Sequence, residues 1–132
     1  MTVEEIIYQV LSASTELQAI FGENVFPLVG SSGKKLPVLL YEVKQVEVDH
    51  TKVSKSLKDG YLLKLNVFSE NYKEVVDSVT ILKELLDYKT FTDEEDNVVI
   101  DLVRFESFSD EFEENSELYH RGVNFTLLLF SN

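Results

Sequence analysis

The residues that could support catalysis are few and far apart. The chain contains no cysteine and only two histidines, His50 and His120, so few side chains could serve as a nucleophile with a neighbouring base. His50 lies in a polar segment and is expected to be an exposed loop residue. His120 precedes an apolar strand, where a packing or surface role is expected. No pair of carboxylates is marked for acid–base catalysis. The residues therefore predict no catalytic site and no enzyme.

Two further segments resemble ligand-binding motifs only in composition. The run Asp93–Asn97 (DEEDN) is acidic, but it lacks the alternating spacing and the glycine of a calcium loop. The string GSSGKK at residues 30–35 lacks the spacing of a phosphate-binding loop, and Pro37 opens a strand where that motif requires a helix. We therefore expect no metal site and no cofactor.

A strand followed directly by a helix organises the chain. Residues 60–68 (GYLLKLNVF) alternate with a period of two, which is typical of a strand with one strongly apolar face. Ser69 and Asn71 can cap the helix that follows, and apolar residues recur at helical spacing over about residues 70–87. The pattern predicts an amphipathic helix that packs on a sheet.

The N-terminal residues predict two helices. Thr2 and Glu5 form a T-x-x-E capping box ahead of an apolar stripe. Ser14 or Thr15 can cap a second, short helix that ends near Gly22. A short extended segment is expected at residues 24–28.

Three more strands complete the predicted sheet. Residues 37–49 form a long strand with a phase slip near Lys44 and Gln45, which indicates a bulge. Residues 98–108 form another strand, and residues 118–130 have the apolar character of a central strand. Residues 50–59 are expected to be a long hairpin loop or a mobile arm, and residues 109–117 a hairpin or bulged connection. The predicted class is a single α+β domain over residues 1–132, with a mainly antiparallel sheet packed by the N-terminal helix pair and the central helix.

The charge distribution is strongly asymmetric. Of the net charge of −12, residues 93–117 carry −10, whereas residues 34–64 carry +3. Such an acidic segment repels phosphates, so sequence-specific binding of nucleic acid is not expected. It is either a solvated surface, a contact for a cationic partner or the lining of a passage.

No apolar run is long enough to span a bilayer, and the N-terminus MTVEEII lacks the basic start of a secretion signal. The expected compartment is the cytoplasm of the producing cell.

The order and spacing of four loose motifs resemble a known family. They are the helix pair ending near Gly22 with a V-F-P segment, the strand P-V-L-L-Y-E, the unit G-Y-L-L-K-L-N-V-F-S-E-N-Y-K-E-V-V-D-S-V, and the ending E-L-Y-H-R-G-V-N-F-T-L. Together they resemble the tail terminator, or tail completion, proteins of long-tailed phages and prophages, over nearly the whole chain.

This resemblance implies a structural role without catalysis. Proteins of this family form a ring, typically a hexamer, at the head-proximal end of the tail tube. The ring stops polymerisation of the tube and joins the tail to the head connector or stopper protein, and DNA passes through its centre. The implied partners are further copies of the chain, the tail tube protein and the head connector. The implied location is the head–tail interface of the virion, after assembly in the host cytoplasm.

The resemblance places the family's interaction loops at residues 50–59 and 109–117. A ring requires two different complementary patches on each subunit, and the opposite charges of these loops could pair neighbours. The predicted interaction residues are basic in the first loop and acidic in the second: Lys52, Lys55, Lys58, Asp110, Glu111, Glu113 and Glu114.

Three other readings remain open from the sequence. The first is an acidic inhibitor or immunity-type protein, which would be monomeric and would bind a basic partner. The second is a small enzyme of unknown chemistry, and the third is an oligomeric scaffold unrelated to phage. In the ring itself, the acidic segment would either meet the lysines of a neighbour or line the lumen.

Overall fold

The computed structural model describes residues 1–27, 36–47 and 58–130, with the backbone alone at positions 46, 47, 58, 59 and 130. The helices are α1 (Val3–Ala13), α2 (Thr15–Phe21) and α3 (Tyr72–Leu86). The strands are β1 (Val25–Pro27), β2 (Val38–Glu47), β3 (Lys58–Ser69), β4 (Phe91–Thr92), β5 (Val98–Ile100), β6 (Leu102–Glu113) and β7 (Leu118–Phe130).

The helices begin where the sequence predicts. Thr2 and Glu5 form the reciprocal capping box of α1, and the side chain of Ser14 accepts a hydrogen bond from the Leu17 amide at the start of α2. Asn71 caps α3 by accepting a hydrogen bond from the Lys73 amide. These caps satisfy amide groups that would otherwise lack partners within the helix. The predicted helix over about residues 70–87 is therefore confirmed, with bounds a residue or two shorter.

The main sheet has the strand order β1-β2-β3-β7-β6. Neighbours pair in an antiparallel manner except β1 and β2, which are parallel. A second, two-stranded sheet joins β4 to β5. β7 lies between β3 and β6, which confirms its predicted central position. The predicted α+β class with a mainly antiparallel sheet is confirmed.

The three helices pack on one face of the sheet. Along β3 this face carries Leu63, Leu65 and Val67, all fully buried. From α3, the buried residues are Val75, Ser78, Val79, Leu82 and Leu86. The hydrophobic core therefore lies between the helices and the odd-numbered residues of β3, as the period of two predicts.

Two register shifts adjust the sheet. One falls between Gln45 and Glu47 in β2, within about a residue of the predicted slip. The other falls between Phe105 and Ser107 in β6, and sequence analysis did not identify it. Side chains alternate strictly between the two faces of a strand. The second shift therefore determines on which face of the sheet each later side chain of β6 lies.

Two predicted connections contain more strand than expected. The prediction for residues 109–117 is wrong in part, because β6 continues through Glu113 and only residues 114–117 form a turn. The continuous ladder with β7 stabilises this acidic stretch as a strand despite the low strand propensity of its acidic residues. The predicted strand at residues 98–108 is divided at Asp101 into β5 and β6. In the other predicted connection, residues 50–59, the last two residues, Lys58 and Asp59, belong to β3.

Among the described residues, no helix is long and apolar enough to cross a bilayer.

Candidate interaction surface

An ion pair at the end of the β6–β7 hairpin forms the centre of the candidate site. Arg121 donates hydrogen bonds to both carboxylate oxygens of Asp110, from Nε to Oδ1 at 2.5 Å and from a terminal nitrogen to Oδ2 at 2.8 Å. The Tyr72 hydroxyl donates a third bond to Oδ2 at 2.8 Å. Asp110 and Arg121 are direct cross-strand partners, and Tyr72 is the first residue of α3. Three separate elements therefore meet at one carboxylate.

The ion pair is geometrically well defined and protected from solvent on the arginine side. The side chain of Arg121 is 6% exposed and that of Asp110 is 34% exposed. The hydrogen bonds from Arg121, followed by that from Tyr72, lower the pKa of Asp110 against the opposing effect of burial. Asp110 in turn raises the pKa of Arg121. Bidentate arginine–carboxylate pairs of this kind are rigid and directional.

Aromatic rings surround this ion pair. The Arg121 guanidinium carbon lies 4.2 Å from the centre of the Phe108 ring, in cation–π geometry. The Tyr119 ring lies 5.1 Å from that of Tyr72 and 4.8 Å from that of Phe112. We call these four aromatic residues the aromatic patch: Tyr72, Phe108, Phe112 and Tyr119.

Three of the four residues of the aromatic patch are exposed. Tyr72, Phe108 and Phe112 are 44%, 49% and 48% exposed. Exposed aromatic rings grouped around an arginine have the composition of the residues that contribute most binding energy at protein interfaces. Isolated exposed apolar residues need no explanation, but a contiguous group of them indicates an interaction surface.

The segment that carries Phe108 and Phe112 is strongly acidic, and we call its carboxylates the acidic rim. Residues 106–117 contain six acidic residues and no basic one. The rim is therefore suited to a cationic partner rather than to nucleic acid.

The acidic residues predicted to interact do not share one face. Asp110 lies on the helix-covered face with the aromatic patch, whereas Glu111 is the cross-strand partner of His120 on the opposite face. Glu113 ends β6 and Glu114 lies in the turn, both exposed. Lys52 and Lys55 lie outside the described residues, and of Lys58 the backbone alone is described, within β3.

His120, predicted to have a packing or surface role, packs on the sheet face opposite the helices. Its ring stacks on that of Phe68 at 4.3 Å between centroids, and its Nε2 lies 2.8 Å from Oδ1 of Asn66. Its Nδ1 lies 3.8 Å from a carboxylate oxygen of Glu111. Burial lowers the pKa of His120, an effect that outweighs the opposing attraction of Glu111.

In the acidic turn at residues 93–97, the carboxylate of Asp93 accepts hydrogen bonds from within the turn itself. Asp93 Oδ1 accepts hydrogen bonds from the amides of Glu95 and Asn97, both at 2.9 Å. These bonds lower the pKa of Asp93. In the part of the chain that the structure describes, no three His, Cys, Asp or Glu residues are grouped so that they could hold a metal ion.

A cleft of about 750 Å³ lies beside α1, α2 and β1. Tyr8, Gln18, Glu23 and Val25 contribute to its lining, together with Ser12. The Ser12 hydroxyl donates its hydrogen bond to the carbonyl oxygen of Tyr8 rather than to a base. Among the described lining residues, no nucleophile is paired with a general base, so the cleft shows no catalytic arrangement.

Of the residues at the centre of this surface, sequence analysis identified Asp110 as an interaction residue but assigned no such role to Tyr72 or Arg121. The alternation Phe108–Asp110–Phe112 is a strand signal that could have placed these three side chains on one face. The pairing with Arg121 depends on the tertiary register.

Comparison with known proteins gives a likeness of fold. No protein-family model matches the chain, and no curated protein sequence matches it significantly. The search of solved structures does return matches. Among them is a chain of a structure described as "Virion of native gene transfer agent (GTA) particle", with a TM-score of 0.78 and 12% sequence identity. The likeness covers 98% of this chain and 96% of that chain, so the two share a fold over their whole lengths.

Proposed function

We propose that this chain is a structural protein of a phage or phage-like virion. The observation that supports this most directly is the whole-length likeness of fold to a chain of a gene transfer agent particle, at a TM-score of 0.78. The proposed role requires protein contacts and no catalytic step. It is consistent with a described surface that carries exposed aromatic residues and a structured ion pair.

Within the virion, the proposed role is that of a tail terminator or tail completion protein. The chain would form a ring, with six subunits as the typical number, at the head-proximal end of the tail tube. The ring would stop tube polymerisation and join the tail to the head connector. The motif order described above supports this finer assignment, as does the separation of charge within one subunit, because a head-to-tail ring needs two different complementary surfaces.

The first experiment is size-exclusion chromatography with light scattering over a range of concentrations. The proposal predicts a species near six times the 15.2 kDa subunit mass, with a central hole in negative-stain images. If the chain is monomeric alone, adding tail tube protein should produce rings at tube ends and limit tube length. Tubes that grow to the same length with and without the chain would contradict the terminator role.

A second candidate is an acidic inhibitor or immunity-type protein. The acidic rim beside the aromatic patch favours it, since both features suit the capture of a basic protein. Such a protein would remain monomeric at every concentration and would leave tube length unchanged. The same two measurements therefore separate the candidates.

A further inference from the structure

In the described part of the chain, the outer side of β6 has no strand partner beyond its first residues. β6 is the terminal strand of the main sheet among the described residues. Near its start, Val103 exchanges backbone hydrogen bonds with Tyr88 and Lys89, and the Phe105 amide donates to the Asp87 side chain. From residue 107 to residue 113, no strand of the described chain pairs with this side. Such an edge is a template for the addition of another strand.

The two faces of this open edge have different chemistry. On the helix-covered face, Phe108, Asp110 and Phe112 alternate as apolar, acidic and apolar. On the opposite face, the last two side chains are Glu111 and Glu113. A strand that adds here would therefore fit best with apolar residues opposite the two phenylalanines and basic residues opposite the carboxylates.

A segment of this chain between β2 and the start of β3 has that pattern. Residues 52–58 read KVSKSLK. In an extended conformation, Val53, Lys55 and Leu57 would share one face, and Lys52 and Lys58 the other. With Lys55 opposite Asp110, the two apolar residues meet the two phenylalanines, and one terminal lysine lies opposite Glu113.

Lys58, the last residue of this segment, lies far from the β6 edge of its own copy. Leu57 directly precedes Lys58, whose cross-strand partner is Phe130, whereas Phe108 pairs with Val123. Seven residues of β7 separate these partners, which is about 23 Å at roughly 3.3 Å per residue. The contact therefore requires a second copy of the chain.

We propose that the edge of β6 from Ser107 to Glu113 is the docking site for residues 52–58 of a neighbouring copy, added as a strand. This inference rests on the proposed function, since it assigns the two surfaces that join neighbours in the ring. Because the edge and the segment are different surfaces, the contact is head-to-tail and allows ring closure. A symmetric contact between two β6 edges would instead place carboxylates against carboxylates.

Disulfide trapping tests this contact, because the chain contains no cysteine. One copy carries Ser109→Cys, at an exposed position of β6. The second copy carries either Ser54→Cys or Ser56→Cys, which flank Lys55 in the sequence. Ser109→Cys should form mixed dimers with one of these two at least about tenfold faster than random collision allows, because docking raises the effective concentration. The partner variant that reacts faster shows whether the added strand runs parallel or antiparallel to β6.

The matched control replaces an exposed serine of the same acidic segment, Ser116→Cys. Equal rates for Ser109→Cys and Ser116→Cys would mean unspecific charge attraction and would overturn the proposal. In the Ser109→Cys copy, Phe112→Ser should slow trapping about tenfold, a typical effect for an interface anchor. Tyr88→Ser, which removes an exposed aromatic residue elsewhere, should not.

Light scattering on the untrapped chain separates the two proposals. A ring without preferential trapping at Ser109 would leave the terminator role in place and show that other surfaces join the subunits. Trapping that is both preferential and sensitive to Phe112→Ser supports the contact directly. Absence of both self-association and trapping, with and without tail tube protein, would contradict the contact as well as the ring.

Discussion

Arg121 and Asp110, eleven positions apart in the sequence, are direct cross-strand partners whose side chains form a bidentate ion pair. The pair connects the last two strands of the sheet, and the Tyr72 hydroxyl connects it to the start of α3. It thereby holds the aromatic patch in place.

Replacing Arg121 with alanine should destabilise the fold by about 1.5–3 kcal/mol, the usual range for hydrogen bonds to charged groups. Asp110 would lose two of its three hydrogen bonds while remaining partly buried. Urea unfolding followed by circular dichroism measures the change. Lys73→Ala is the control, because it removes an exposed ion pair with Asp77 and should change stability by at most about 0.5 kcal/mol. Equal effects of the two substitutions would contradict a structural role of the Asp110–Arg121 pair.

The contribution of Asp110 to stability should disappear in acid. Its pKa in the folded chain is below its ordinary value, so the folded state binds this proton less readily than the unfolded state does. The stabilisation is therefore present above about pH 4 and is lost as the pH falls through the lowered pKa. The difference in unfolding free energy between the wild type and Asp110→Asn should shrink from pH 6 to pH 2. A constant difference over that range would contradict the assignment.

His120 should make stability depend on pH nearer neutrality. Burial lowers its pKa in the folded chain, so the unfolded state takes up the proton first, near pH 6.5. Stability is then highest above about pH 6.5 and decreases as the pH falls through the lowered pKa. His120→Gln should flatten the dependence between pH 7 and pH 5 in thermal unfolding. An identical slope in both proteins would exclude His120 as the source.

Leu65→Ala should cost about 2–5 kcal/mol, because it opens a cavity beneath the helices. Leu65 is fully buried on the helix-covered face of β3. Val76→Ala on α3 is the control, since Val76 is 37% exposed and surface substitutions usually change stability by about 0.5 kcal/mol or less. Chemical denaturation measures both. Comparable losses would indicate that the core does not lie between α3 and the sheet.

The simultaneous change of Lys52, Lys55 and Lys58 to Glu should weaken ring formation. The substitutions would place negative charges against the acidic edge of a neighbour, and the effect should be largest at low salt, where screening is weakest. Light scattering measures the ring fraction against ionic strength. The control changes Lys73, Lys83 and Lys89 to Glu, which alters the net charge by the same amount elsewhere on the chain. Unchanged assembly of the first variant at low salt would rule out the pairing of the lysines with the acidic segment.

The local elements of this protein follow from its sequence because short-range physics specifies them. The capping box of Thr2 and Glu5 and the cap at Asn71 satisfy backbone groups within a few residues. The alternation along β3 separates a buried face from a mixed one with no information from distant parts of the chain. These signals were sufficient to predict the helices, the central strands and the α+β class.

The candidate surface was decided only by the tertiary structure. The acidic residues of β6 have low strand propensity, and their strand conformation depends on the ladder that β7 provides. The bulge between Phe105 and Ser107 then determines the faces of the residues that follow. A shift of one residue would direct Asp110 and both phenylalanines to the opposite face, away from Arg121 and Tyr72. The sequence by itself thus determined the elements and the charge asymmetry, whereas long-range strand register brought the ion pair and its aromatic rings together.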